Sequence, residues 1–215
     1  MCYDTCMKFI YPEKIPLFPL SGVIYFPKTN LPLNIFEQRY VNLVNDVLKT
    51  NKLMGMIQSK NNNEVYKIGC LGKISDYKKS EDGRMLINLT GLIRFEIKKE
   101  IDNKKLYREF NVDYEKFGND LAETKNLNFN NFDLPLLFGK IKSFFKKNGL
   151  LLNWNEFEKL ELEQQINTLA MVAPISNEEK QKLLETVTIE EKSKILSEIV
   201  EFYAHENSQD NITVQ

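Results

Sequence analysis

Few residues in this chain could carry out catalysis or bind a metal ion. The only histidine, His205, lies near the C-terminal end, and the three cysteines are Cys2, Cys6 and Cys70. A nucleophile needs a positioned base, and a zinc site needs four soft ligands at short paired spacings. The sequence therefore predicts no catalytic residue, no metal site and reduced thiols, with Cys70 as a small core residue.

A nucleotide site is not expected either. A phosphate-binding loop has the pattern G-x-x-x-x-G-K-[ST], in which consecutive backbone amides surround the phosphates ahead of a helix. The nearest segment, Gly69–Ile74, reads G-C-L-G-K-I, which has too short a gap and no Ser or Thr after the lysine. Its flanking residues favour a strand, so we expect no nucleotide and no other cofactor.

Charge and hydrophobicity are typical of a globular protein. The chain has 29 basic and 30 acidic residues, so no long-range field would attract nucleic acid or a membrane. Hydrophobic residues make up 42% of the chain, which is enough for a buried core. We find no apolar run of about 18 residues and no signal-peptide pattern. We therefore expect a soluble, cytoplasmic protein without a membrane partner.

Prolines are concentrated near the N-terminus, and the segment Ile15–Tyr40 contains four of the seven. Proline lacks a backbone donor and occurs in sheets mainly at the edges. This segment therefore predicts an edge strand, followed by a stiff connection that packs on a core. Asn34 and Glu37 have the spacing of a capping box, and the apolar stripe after them indicates a helix over 35–49.

Alternating hydrophobicity indicates strands up to about Tyr114. The clearest example is Leu106–Tyr114, where every second residue from Leu106, apart from Arg108, is apolar. The segment 78–83 ends in Asp-Gly and predicts a hairpin turn. The Asn-rich segment 117–131 lacks periodicity and is interpreted as a linker.

Beyond the linker, apolar residues recur with the period of an α-helix. The first helix should start after Asp133 and end in a basic, glycine-terminated stretch. A β-rich half with one inserted helix, followed by a helical half, is an α+β arrangement. The other predicted helical features are a helix over 155–173 and capping-box starts at Ser176 with Glu179 and at Thr188 with Glu191.

Six motifs follow each other along the chain. They are P-L-F-P-L-x-G from Pro16, P-x-x-x-x-P-L from Pro27, I-F-E-x-R-Y from Ile35, G-C-L-G from Gly69, Gly91 with Arg94-Phe95, and L-A-M-V-A-P from Leu169. In this order they resemble the N-terminal domain family of Lon proteases, and the resemblance extends from roughly Lys14 to Tyr203.

The resemblance implies a PUA-like β pseudo-barrel with one inserted helix, followed by a helical bundle. We divide the chain into a β-rich subdomain over 1–116, a linker over 117–131, a bundle over 132–205 and a tail over 206–215. The ATPase and serine–lysine peptidase domains of Lon would not fit into 215 residues. We therefore expect a stand-alone recognition domain that is not an enzyme.

The resemblance also implies a partner. We expect the chain to bind unfolded or degron-bearing polypeptide, as an accessory to a separate ATP-dependent protease. The expected binding surface is the concave side where the barrel, the inserted helix and the bundle meet. The candidate polypeptide-binding residues are Tyr25, Glu37, Arg39, Tyr40 and Arg94.

Structural roles are the alternative for these residues. Glu37 could cap the inserted helix while Arg94 reaches across from the barrel to meet it, and the capping-box spacing favours this interpretation. We expect the rings of Phe18 and Phe36 to pack in the core. For Tyr25 and Tyr40, whose hydroxyls need a polar neighbour, burial and contact with a partner are both open.

RNA binding is the alternative function, because PUA-like barrels include RNA-recognition modules. Such modules carry basic patches with interleaved aromatic residues. The densest lysine clusters here, 78–79 and 98–105, are interrupted or flanked by acidic residues. This pattern favours solvated turns over phosphate contacts, so we do not expect a nucleic-acid partner.

Overall fold

The computed structural model describes residues 11–60, 64–122 and 132–209. Its first half is a mixed six-stranded sheet in the order β2-β5-β4-β3-β1-β6. The strands are β1 Lys14–Leu20, β2 Asn30–Ile35, β3 Leu53–Ser59, β4 Val65–Lys79, β5 Met85–Ile101 and β6 Glu109–Asp113.

The long strand β5 closes the sheet into a pseudo-barrel. Its first part, Met85–Thr90, pairs with β2, and its last part, Glu96–Ile101, pairs with β6. Since β6 also pairs with β1, the strands β5, β4, β3, β1 and β6 form a closed ring with β2 attached at one end. The predicted hairpin turn is confirmed, because β4 and β5 are antiparallel neighbours joined around Gly83.

Strand β1 is an interior strand, so the prediction of an edge strand was wrong. Lys14–Pro16 pair with β6 in antiparallel fashion, whereas Leu17–Leu20 pair with β3 in parallel fashion. The two prolines of the strand are tolerated because neither neighbour pairs with its whole length. The sheet therefore needs fewer donors from β1 than a continuously paired strand would.

The inserted helix α1 spans Gln38–Leu48 and is shorter than predicted. Asn34 lies in β2 and does not cap the helix, because pairing with β5 holds it in an extended conformation. Glu37 occupies the N-cap position, but its side chain caps nothing. The apolar face of α1 packs on one face of the sheet with buried residues such as Met54 and Ile87.

The second half is helical, as predicted. Helix α2 begins after its cap Asp133, whose side chain accepts a hydrogen bond from the Leu136 amide, and the capping box of Ser176 and Glu179 is present at the start of α5. The single helix predicted over 155–173 is instead two helices, separated by a turn around Leu160. The helices are α2 Leu134–Lys147, α3 Trp154–Phe157, α4 Leu162–Val172, α5 Asn177–Glu185 and α6 Ile189–Gln209.

The barrel and the bundle share one hydrophobic core. Leu17 and Phe95 of the barrel belong to the same buried cluster as Leu169 and Leu196 of the bundle. The beginning of the predicted linker contributes to it, because Glu115–Leu121 is a 3-10 helix that buries Phe117. Parts of the sequence predictions lie outside the described residues. These parts are the rest of the linker over 123–131, the cysteines Cys2 and Cys6, and the end of the predicted tail from 210 onward. The subdomain boundaries stay a prediction.

The prediction for the segment before β6 was wrong. The strand covers only Glu109–Asp113, while Leu106 is exposed and Tyr107 is buried, which is the reverse of the predicted alternation. Residues 102–108 connect β5 to β6 without regular pairing, so the two-residue period of a strand does not apply to them.

A close backbone approach fixes the connection that follows β1. Gly91 of β5 accepts a hydrogen bond from the Lys28 amide and donates one to the carbonyl of Thr29. A Cβ atom at Gly91 would lie 2.2 Å from the carbonyl oxygen of Phe26. Only glycine lets this turn lie against β5.

We predict that Gly91→Ala destabilises the protein by about 2–4 kcal/mol, because a backbone atom must move to admit the methyl group. The matched control is Gly139→Ala in α2, where a Cβ would meet nothing within 4 Å. That substitution should stabilise the protein by about 0.5–1 kcal/mol through helix propensity. Urea denaturation measures the free energy of unfolding of both variants. Equal changes in the two would contradict the prediction.

Candidate functional site

A buried ion pair joins the barrel to the 3-10 helix that follows it, at the place where the barrel meets the bundle. Arg94 of β5 and Asp120 of the 3-10 helix are both 3% exposed, and the Arg94 Nη2 atom lies 2.6 Å from a carboxylate oxygen of Asp120. The Asp120 carboxylate also accepts hydrogen bonds from Arg94 Nε and from the Arg94 backbone amide. The guanidinium lies 4.4 Å from the centroid of the Phe117 ring.

The remaining guanidinium hydrogens bind the connection between α5 and α6. Arg94 Nη1 donates to the carbonyls of Leu184 and Thr186, and Nη2 donates to the carbonyl of Val187. All five donors of the guanidinium are thus in use. Arg94 has none left for a ligand and does not reach Glu37, so its interpretation as a bridge to the inserted helix was wrong.

A second buried polar contact extends this interface. Lys192 of α6 donates to Asn167 Oδ1 at 2.7 Å, and Asn167 Nδ2 donates to the carbonyl of Pro27 at 3.1 Å. Burial lowers the pKa of Lys192 to about 7, and the nearby positive charge of Arg94 acts in the same direction. The ammonium form of Lys192 is therefore disfavoured inside the core.

Two of the predicted binding residues are at the surface, at the start of α1. Arg39 Nη2 lies 2.8 Å from Glu37 Oε2, and both side chains are about half exposed. The Arg39 guanidinium also lies 4.5 Å from the centroid of the Tyr40 ring, which packs against Phe18. We call Phe36, Glu37, Arg39 and the edge of Tyr40 the helix-start surface.

Phe36 is the most exposed residue of the helix-start surface, so the expectation that it packs in the core was wrong. It is 69% exposed, whereas Phe18 is buried as predicted. Phe36 lies between the end of β2 and the start of α1, where the preceding Ile35 already occupies the inward position. Leu86, in register opposite Asn34, is also exposed.

The other two predicted tyrosines are buried. Tyr25 is 2% exposed and packs in the cluster beneath α1, and its hydroxyl has no hydrogen-bond partner among the described residues. Tyr40 is 7% exposed. Burial raises the pKa of both phenols. Only an edge of Tyr40 is available to a partner.

A cavity of about 570 Å³ lies where the barrel meets α5, and we call it the junction cavity. Gly22, Gln58 and Lys60 line it from the barrel side, and Asn177 and Glu178 line it from the bundle side. The residues that line it do not include any from α1. The cavity therefore lies between the barrel and the bundle, whereas the expected binding surface also included the inserted helix.

The described residues contain no cluster of three or more His, Cys, Asp or Glu side chains that could hold a metal ion. Cys70 is buried, and burial raises the pKa of its thiol, so it is not a reactive nucleophile. His205 is exposed on α6. None of the helices that the structure describes is long and apolar enough to cross a membrane.

The sequence over residues 14–201 matches the family described as the ATP-dependent protease La (LON) substrate-binding domain. The chain belongs to this family. Within it, the Lon protease of Dictyoglomus thermophilum is 25% identical over 187 residues, which cover 84% of this chain and 23% of that protein. The Lon protease of Desulfosudis oleivorans is 30% identical over 95 residues, covering 40% of this chain and 12% of that protein. The chain thus matches less than a quarter of the length of these two Lon proteases.

Two solved structures have the same fold. The Lon N-terminal domain protein from Xanthomonas campestris superposes with a TM-score of 0.62 at 20% identity, covering 85% of this chain and 96% of that one. The N-terminal domain of Lon protease from the Mycobacterium avium complex has a TM-score of 0.64 at 14% identity, covering 87% and 98%. The predicted α+β fold of the Lon N-terminal domain is confirmed.

We predict that Arg94→Met destabilises the protein by about 3–5 kcal/mol, because it leaves the Asp120 carboxylate buried without its partner. The control is Arg84→Met, which removes an exposed pair with Asp82 whose atoms lie 2.6 Å apart. An exposed pair contributes at most about 1 kcal/mol. Urea denaturation should separate the two variants clearly, and similar losses would contradict the structural role of Arg94.

The buried amine of Lys192 predicts a pH dependence. Because its folded pKa lies below its unfolded value of 10.5, the unfolded chain binds more protons above pH 7, and stability rises with pH. Between pH 7 and pH 9 this group should add about 2 kcal/mol to the free energy of unfolding. Lys192→Met should lose that increase relative to the unsubstituted protein. If the free energy of unfolding rose equally with pH for the two proteins over this range, the prediction would be contradicted.

Proposed function

We propose that this chain is a polypeptide-binding module that recognises unfolded or degron-bearing segments and serves ATP-dependent proteolysis as an accessory. The observation that carries the proposal is the family match over residues 14–201, since that family is described as a substrate-binding domain. We further propose that the chain has no catalytic activity of its own. The buried state of Cys70 and the engaged state of Arg94 support this, because neither is free to act on a substrate.

The helix-start surface is the place where we propose that the polypeptide binds. An exposed aromatic side chain supplies apolar area for an unfolded segment, and Phe36 offers it at a fixed position at the end of β2. The Glu37–Arg39 pair beside it presents an acceptor and a donor for backbone amides and carbonyls of the segment. This arrangement favours an extended polypeptide over a small molecule, because the side chains are exposed and line none of the cavities described in this structure.

We expect the protein to bind a fluorescently labelled, reduced and unfolded polypeptide with a dissociation constant in the range of tens of micromolar. Phe36→Ser should weaken this binding by about tenfold, since it removes most of one aromatic contact area. The control is Leu151→Ser, because Leu151 is completely exposed on the bundle. Fluorescence anisotropy measures both, and neither substitution should change the free energy of unfolding by more than about 0.5 kcal/mol.

Four results would contradict the proposal in different ways. The absence of binding to any unfolded polypeptide would overturn polypeptide recognition. Equal losses for Phe36→Ser and Leu151→Ser would remove the helix-start surface as its location. Salt-sensitive binding of single-stranded RNA in place of polypeptide would favour the nucleic-acid alternative, and cleavage of casein would overturn the absence of activity.

A further inference from the structure

A groove runs beside the C-terminal part of α1, along the connection from β5 to β6. It consists of two cavities of about 490 and 470 Å³ that share the lining residues Asp46, Lys49, Lys105 and Tyr107. We call it the lysine groove. At one end its floor is apolar, and at the other end the exposed side chain of Leu106 borders it. The apolar floor is formed by Pro12, Ile15, Pro16, Val47 and Leu53.

Positive charge is in excess around the groove, although the whole chain has a net charge of −1. Four lysines line it, and only two acidic residues, Asp46 and Glu109. Both acidic residues already accept hydrogen bonds from other residues of the groove. The lysines are Lys14, Lys49, Lys104 and Lys105.

The buried carboxylate of Glu109 is held by three donors. Lys105 Nζ lies 2.9 Å from it, Asn103 Nδ2 lies 3.1 Å from it, and Lys14 Nζ lies 3.3 Å from it. The hydrogen bonds of Lys105 to Tyr107 and Glu109 raise the pKa of that lysine, so it stays charged. Glu109 is therefore part of the wall and is not available to repel an acidic ligand.

The carboxylate of Asp46 is partly engaged as well. It accepts a hydrogen bond of 2.8 Å from the Tyr107 hydroxyl, and Lys49 lies 3.8 Å away in an exposed pair. Lys104 is exposed and forms no ion pair with any residue that the structure describes. Lys49 and Lys104 are thus the two positive charges that a ligand can reach most easily.

The groove continues toward the helix-start surface along one stripe of α1. Arg39, Asn42, Asp46 and Lys49 follow each other at spacings of three and four residues, which place them on the same side of the helix. The stripe is about 15 Å long, which is the length of about four to five residues of extended polypeptide. One bound segment can therefore reach from Arg39 of the helix-start surface to the lysine groove.

We propose that the lysine groove selects acidic polypeptide segments, in which an apolar side chain lies next to Asp or Glu residues. The inference rests on the proposed function and names the class of segment that is bound. The apolar side chain packs on the floor near Val47 and Leu53, and the carboxylates lie against Lys49 and Lys104. The apolar floor favours an acidic peptide with an apolar side chain over a nucleic acid, whose phosphates need a more continuous basic surface.

The test compares three labelled peptides that share one apolar centre and differ in their flanking residues, which are Asp, Ser or Lys. With the full chain at low salt, the Asp-flanked peptide should bind about tenfold more tightly than the Ser-flanked peptide, and the Lys-flanked peptide should bind most weakly. The double substitution Lys49→Gln and Lys104→Gln should remove most of that preference. The control, Lys78→Gln with Lys79→Gln, removes the same charge from the β4–β5 hairpin and should leave the preference within twofold.

The outcomes separate this inference from the proposed function. Equal affinity for the three peptides would overturn the charge selectivity and leave polypeptide binding intact. Loss of the preference in the hairpin control as well would assign it to net charge and overturn the groove as its location. Failure of all three peptides to bind, together with failure of unfolded polypeptide, would overturn both. Displacement of the acidic peptide by single-stranded RNA at lower concentration than by unlabelled peptide would assign the groove to nucleic acid.

Discussion

The buried pair of Arg94 and Asp120 is the interaction on which the arrangement of the two halves depends. A guanidinium and a carboxylate removed from water are tolerated only when their charges are paired and their donors and acceptors are used. Here the pair is complete only when β5, the 3-10 helix and the connection between α5 and α6 are all in place. The bundle therefore cannot move relative to the barrel without leaving donors of the buried Arg94 guanidinium without their carbonyl acceptors.

Two further polar contacts and a shared apolar cluster also join the barrel to the bundle. The side chain of Gln181 in α5 donates to the carbonyl of Ile68 in β4, and Lys28 lies 2.5 Å from Glu163 in α4. Apolar residues of both halves belong to one cluster. The result is a fold in which a helical bundle supports the barrel from one side and leaves the inserted helix on the other face of the sheet, where its polar stripe is accessible.

Elements with a local signal could be predicted from the sequence, and those that depend on distant partners could not. The stripe and cap of α2 and the capping box of α5 are local, and both are present in the structure. The interior position of β1 depends on two strands far along the chain, one for each half of its length. Asp120 lies in a segment without periodicity, so nothing near it in sequence indicates that it pairs with Arg94.

The residues of the candidate site also differ in whether the sequence could predict them. Motif residues such as Phe18 and Arg94 are recognisable because packing constrains them, and packing also removes them from the surface. Glu37 and Arg39 are exposed because they begin a helix whose other face is buried. The lysines of the lysine groove come from β1, the C-terminal end of α1 and the connection before β6, so no single stretch of sequence reveals the excess of charge. The buried apolar face of α1 holds the backbone of this surface in place before a ligand arrives. Preorganisation of this kind lowers the entropic cost of binding, which matters most for an unfolded polypeptide that must itself be ordered.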